Sequence, residues 1–215
     1  MIRIKICGMK QPENIWEIAA LRPDYMGMIF YEKSPRCALD LSPEELHLLL
    51  PETCLVGVFV NETLLDIRKI AAKYRLTTLQ LHGSESPEEC KNLEEEGYTI
   101  IKAFPIAMAA DFETIKTYEN ACSYTLLDTR CSSKEVNPPL MGGTGRSFDW
   151  KLLRYYTARL PFFLSGGISP ESVTDILRID HPMFYAVDIN SRFEISPGIK
   201  ASKQIESFLE ALRNN

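Results

Sequence analysis

The 215-residue sequence has no run of about 18 consecutive apolar residues, the minimum for a membrane-spanning helix. No membrane partner is expected. It also lacks any local cluster of basic residues: 24 Lys and Arg stand against 29 Asp and Glu, a net charge of -5, which leaves no electrostatic footprint for nucleic acid. Any anionic ligand must be held locally. Histidine is scarce at three, and the six cysteines, at 7, 37, 54, 90, 122 and 131, form no CxxC pair and have no histidine at zinc-site spacing. Neither structural zinc nor a disulfide framework is expected, and cysteines used singly fit a reducing compartment. The opening MIRIKICGMK has no long apolar stretch behind a basic start and runs directly into an alternating strand pattern, so the cytoplasm is the expected location.

What is present is the composition of an ordinary globular protein, 45% hydrophobic and 25% charged, in a chain long enough for one domain with a sizeable core. Short β-rich runs alternate with helical patterns along the whole length. The strands are predicted at 2–7, 25–30, 55–60, 78–81, 99–103, 123–127, 162–164 and 184–188, and such alternation argues for parallel βαβ units. Helix starts are marked by Gln11-Pro12, Ser42-Pro43-Glu44-Glu45, Ser86-Pro87-Glu88-Glu89 and Ser169-Pro170-Glu171, where Ser can cap, Pro fits the first turn and acids complement the dipole. Apolar faces follow at Leu64, Ile67, Ile70 and Ala71, and at Ile205, Phe208, Leu209 and Leu212. Eight units predict a single-domain (β/α)8 TIM barrel of the α/β class, whose active site lies at the C-terminal ends of the strands. A doubly wound open sheet is the alternative, but Lys5-Ile6-Cys7-Gly8 carries one glycine where a dinucleotide fingerprint needs several.

Candidate chemistry gathers at those strand ends. Alternation puts Arg3, Lys5 and Cys7 on one side of the first strand, so Cys7 is either a base favoured by the Lys5 cation or a buried apolar residue. Asp128, ending Leu126-Leu127-Asp128-Thr129, is a general acid or a turn residue. Gly166 and Gly167 follow the seventh strand and Asp188, Asn190 and Ser191 close the eighth, the pair of loops where barrels often bind phosphate, although paired glycines also serve tight turns. Gly142, Gly143 and Gly145, ahead of Phe148 and Trp150, read as a phosphate-contacting lid or as a flexible loop with an aromatic anchor. Arg36 can grip a carboxylate bidentately or stay solvated, and His82 can contact ligand or make a structural hydrogen bond. His47 and His181 read as surface residues.

Taken in order, KICG, the Arg36 loop, GVFVN at 57–61, QLHG, LLDT, GGTGRSFDW, LSGGISPESV and AVDINSRFE…PG resemble the motif series of the phosphoribosylanthranilate isomerases over nearly the entire chain. The resemblance implies an Amadori rearrangement of N-(5-phosphoribosyl)anthranilate in tryptophan biosynthesis. It implies Asp128 as acid, Cys7 as base and Arg36 as the carboxylate holder. The phosphate would rest on Gly143–Gly145, Gly166–Gly167 and Asn190–Ser191. No cofactor or metal is implied, since the substrate's own iminium is the electron sink. The expected partner is a small phosphorylated substrate, bound by a monomer or homodimer. Three departures stand out: Arg192 where the family usually has Gly, Ala201 where it has Asp, and a long stretch at 130–141.

Overall fold

Successive strands lie side by side and the last returns to the first. The computed structural model describes residues 2–47, 53–129 and 148–214. Its eight parallel strands are β1 (Arg3–Cys7), β2 (Tyr25–Ile29), β3 (Cys54–Phe59), β4 (Thr78–Leu81), β5 (Thr99–Ile106), β6 (Tyr124–Thr129), β7 (Phe162–Leu164) and β8 (Phe184–Ile189). They pair in chain order, and β1 with β8 closes the barrel. This is the expected (β/α)8 architecture. The edges shift by a few residues: β5 continues to Ile106 because its end pairs with β6, and β6 itself takes in Asp128 and Thr129.

The helices α1 (Pro12–Ala19), α2 (Pro43–His47), α3 (Leu64–Tyr74), α4 (Pro87–Glu95), α5 (Val173–Leu177) and α6 (Ser202–Arg213) cover the outside. On α6 the predicted face is buried in full, while on α3 Ile67 and Ala71 are buried and Leu64 and Ile70 only partly. Among the described residues, 3-10 turns at Ala109–Tyr118 and Trp150–Tyr155 stand after β5 and β6 where helices are expected. The Ser169-Pro170 start likewise opens as a 3-10 turn before α5. A hairpin, β9 (Glu194–Ser196) with β10 (Ile199–Lys200), follows β8.

Most of the core lies between barrel and helices. A smaller cluster of Tyr25, Val56, Ile101, Ala103, Leu126, Phe163 and Ala186 fills the barrel interior, as alternation requires. The same alternation turns Lys5 and Cys7 inward, and the register sets Lys5 opposite Asp188 and Cys7 opposite Gly27. Any side chain at 27 would collide with the thiol, since a Cβ there would sit 2.8 Å from Cys7 Sγ. His181 proves half-buried rather than superficial: its ring packs against Tyr156 and Phe162, and its Nδ1 accepts from the Met183 amide.

Candidate functional site

One cleft opens at the C-terminal ends of the strands, and Cys7, Arg36, His82, Asp128, Gly166, Gly167, Asp188, Asn190 and Ser191 all line it. Residues from β1, β4, β6, β7 and β8 and from the loop after β2 therefore converge there. Gly143 and Gly145 lie outside the described residues. The void measures about 1180 Å³ counting its open mouth, ample for a ligand of drug size.

Cys7 sits at the cleft floor, only 4% exposed. Burial pushes its thiol above the ordinary range, with Lys5 and Lys200 pulling the other way. Lys5 is not an unmatched cation: its ammonium donates to Asp188 Oδ1 at 2.7 Å, and both groups are buried. Burial alone would lower the Lys5 pKa, yet Asp188 and Cys7 together raise it. Asp188 Oδ2 accepts from the Ser165 hydroxyl at 3.0 Å, so both its oxygens are engaged by the protein. Asp188, one of the expected substrate-binding residues, lines the cleft while the protein engages its carboxylate through Lys5 and Ser165.

Arg36 is 13% exposed and far from a solvated loop residue. Its Nε donates to Glu194 at 2.9 Å and one terminal nitrogen donates at 2.7 Å, a side-on bidentate pair that holds the guanidinium plane. Glu194 also accepts from Lys200 Nζ at 2.8 Å and from the Gly198 amide at 3.0 Å. Although burial opposes it, this set of donors holds the Glu194 carboxyl below the usual range. Lys200, wholly buried, goes down in turn, because burial outweighs the attraction of Glu194. Its ammonium also donates to Asn190 Oδ1 at 2.7 Å, which fixes the residue at the end of β8.

On the other side of the mouth, Asp128 Oδ1 accepts from the Thr129 amide at 2.8 Å and Oδ2 faces His82 Nε2 at 3.3 Å. The loop bearing His82 is anchored from below: Lys102 donates to the Gly83 carbonyl at 2.8 Å and pairs with Glu85, which accepts from the Asn61 and Gly83 amides. Gly166 and Gly167 both have positive φ, 80° and 71°, which turns their amides in a way other residues resist. A Cβ at 166 would lie 2.5 Å from the Thr129 nitrogen and 2.8 Å from Asp128 Oδ1. Among the described residues, no group of three or more His, Cys, Asp and Glu is placed to hold a metal ion.

Glu194, Lys200, Gln80 and Ser165 were not singled out from the sequence. Each acts on a candidate residue through a fold contact, and only the strand-end position of Gln80 and Ser165 offered a signal.

Comparison with known proteins bears on what such a cleft serves. Residues 4–211 match the family model described as N-(5'-phosphoribosyl)anthranilate isomerase. The enzyme of that name from Parabacteroides distasonis is 44% identical over 97% of this chain and 92% of its own, and that from Phocaeicola vulgatus 39% identical over 98% and 97%. A crystal structure of the Thermotoga maritima isomerase superposes with a TM-score of 0.84 at 34% identity, covering 100% of both chains. Another, 32% identical with a TM-score of 0.82 and the same full coverage, is of the isomerase in complex with reduced 1-(o-carboxyphenylamino)-1-deoxyribulose 5-phosphate. A matched model, close relatives and a shared barrel thus meet on one conclusion: the chain belongs to the N-(5'-phosphoribosyl)anthranilate isomerase family of tryptophan biosynthesis.

Proposed function

We propose that the chain performs this isomerisation with Asp128 as general acid and Cys7 as general base. The observation that carries the reading is the convergence of Cys7, Asp128, Arg36 and the Gly166–Gly167 turn on one cleft. Asp128 protonates the ribose ring oxygen as the bond from C1 breaks, and the ring opens to a protonated Schiff base. Cys7 then takes the C2 proton. The electron pair moves into the iminium to give an enolamine, which tautomerises to the ketone. The substrate is its own electron sink, so the chemistry calls for no cofactor.

A thiol that burial pushes up is a poor base in the resting enzyme. The arriving iminium changes this, because a cation beside the sulfur favours thiolate. Arg36 receives the anthranilate carboxylate. The amides at Gly166, Gly167, Asn190 and Ser191 receive the phosphate, as loops after the seventh and eighth strands commonly do. The ligand named in the related crystal structure carries both a carboxyphenyl group and a phosphate, the two groups that this reading seats. The reading also places the enzyme in the cytoplasm, where Cys7, Cys37, Cys54, Cys90 and Cys122 stay free. It functions as a monomer or homodimer, the Thermotoga maritima relative being described as dimeric, with monomers generated from it.

The test is direct. Purified protein given enzymatically generated phosphoribosylanthranilate should quench its anthranilate fluorescence in proportion to enzyme added. A signal that decays only at the rate of the spontaneous background overturns the proposal.

A further inference from the structure

Arg36 lines the cleft with a guanidinium that the protein grips along one edge. Its Nε and one terminal nitrogen donate to Glu194 at 2.9 and 2.7 Å, and the Glu194 side chain is only 4% exposed. Arg68 and Glu96 make the same kind of pair on the surface, where both side chains are more than a third exposed and the bond contributes little. At Arg36 the pair is buried, and its two parallel bonds fix the direction of the plane.

Glu194 is itself anchored. It accepts from the wholly buried Lys200 ammonium at 2.8 Å and from the Gly198 amide at 3.0 Å. Lys200 is clamped in turn by Asn14 of α1: its amide donates to Asn14 Oδ1 at 2.7 Å, and its carbonyl accepts from Asn14 Nδ2 at 3.0 Å. The stem of Arg36 lies against Gly8, next to Cys7. A Cβ at 8 would sit 2.7 Å from Arg36 Cδ, and the φ of 79° there also favours glycine. The guanidinium is thereby held between the end of β1 and the β9–β10 hairpin.

In this cluster two cations share one carboxylate, so Arg36 and Lys200 together exceed Glu194 by one positive charge. Lys200 has no exposure, whereas Arg36 faces the cleft, so an anionic ligand meets the surplus at Arg36. A guanidinium is planar, and bidentate pairing with a second carboxylate requires that the plane be aimed at it. An arginine free to rotate would lose affinity to the ordering of its own side chain, and one already aimed would not.

We propose that Glu194 is a positioning residue that sets the preference for a carboxylate-bearing substrate by aiming Arg36 in advance. The inference rests on Arg36 receiving the anthranilate carboxylate. Glu194 acts through Arg36 and not through the phosphate end of the cleft: without it, Lys200 still has Asn190 and Asn14 as partners.

The test measures inhibition constants, which do not depend on the folded fraction of a preparation. Three ligands are compared: reduced 1-(o-carboxyphenylamino)-1-deoxyribulose 5-phosphate, its phenylamino counterpart without the carboxylate, and its counterpart without the phosphate. Wild type should bind the first about a hundredfold more tightly than the second. Glu194→Gln should cut this carboxylate preference by about tenfold, with the phosphate preference within about threefold of wild type. For the substrate, KM should rise while kcat stays within about threefold, because the carboxylate is unchanged as the reaction proceeds. Glu194→Asp keeps the charge that Lys200 needs but is one methylene shorter, so it provides a second, more stable variant that should also lose the preference. A carboxylate preference within about threefold of wild type in both variants overturns the inference. Equal loss of the carboxylate and phosphate preferences overturns it too, since that is the mark of general damage. Arg36→Met separates the two levels of the reading. If it discriminates the first two ligands as wild type does, Arg36 is not the carboxylate holder and the inference fails with that assignment; if it loses the preference while the Glu194 variants keep it, only the role of Glu194 falls.

Discussion

Cys7 combines near-complete burial with two ammonium neighbours, Lys5 and Lys200, each already matched by a carboxylate. Its thiol should therefore titrate above the ordinary thiol range in the free enzyme, because burial disfavours the thiolate. Ultraviolet thiolate absorbance, taken as the difference between wild type and Cys7→Ser, measures this directly. Replacing Lys5 with Met removes an attraction that lowers the value, so the titration should move higher still; no movement would remove Lys5 from the account. Cys7→Ser and Asp128→Asn should each reduce turnover at least about a hundredfold. Near-normal rates in either would cancel that residue's role. At this scale the sequence was legible where chemistry depends on position along one strand. Cys7 and Asp128 stand out in the sequence because each ends an apolar β run, and both line the cleft. Glu194 was missed because its meaning lies in Arg36, 158 residues away, and no local pattern encodes that contact.

Helix α4 begins with reciprocal bonds: the Ser86 hydroxyl accepts from the Glu89 amide at 3.2 Å, and the Glu89 carboxylate accepts from the Ser86 amide at 2.7 Å. This satisfies two of the orphan donors at a helix start. Ser86→Ala should lower the unfolding free energy by about 1 kcal/mol in denaturant titration, with the slope unchanged. A loss below a few tenths would mean the cap is redundant with packing. The other Ser-Pro starts are equally visible in the sequence, and each uses its serine in its own way. Ser42 donates to the Glu44 carboxylate, and at Ser169 the chain takes a 3-10 turn in which the Ser169 amide donates to Ser172 Oγ at 3.0 Å. The pieces after β5 and β6 were not legible as 3-10 either, because both remain amphipathic and bury the same kind of residue, Phe112 and Ile115 in one and Leu153 in the other. Apolar spacing shows which face is buried but not how tightly the backbone winds. The start of α6 illustrates the converse: Ala201 offers no side-chain cap, as its chemistry foretold, and the helix is held by its apolar face.

Across the whole molecule, two buried charge networks tie the barrel at its seam. Lys5 of β1 pairs with Asp188 of β8, and Glu194 joins Arg36 to Lys200 beside it. Glu194 has a folded pKa below its unfolded value, so it stabilises the fold above an unfolded pKa of about 4.3. That contribution disappears as pH falls through the lower, folded value. Glu194→Gln should thus cost about 3 kcal/mol at neutral pH, because Lys200 is left buried with less compensation, and the gap to wild type should shrink under acid. Unfolding at two pH values tests it, and a gap that is constant with pH would show that the loss is steric. The seam has a temporal consequence too. Strand β1 stays half-paired until β8, nearly the whole chain later, arrives to close the circle. Contacts of such long separation form late, since the loop entropy must be met before they can contribute. In pulsed thiol labelling during refolding, Cys90 on α4 should become protected before Cys7, and simultaneous protection would refute this order. The surroundings of Cys7 are therefore completed late, and its sulfur is among the final groups to leave water.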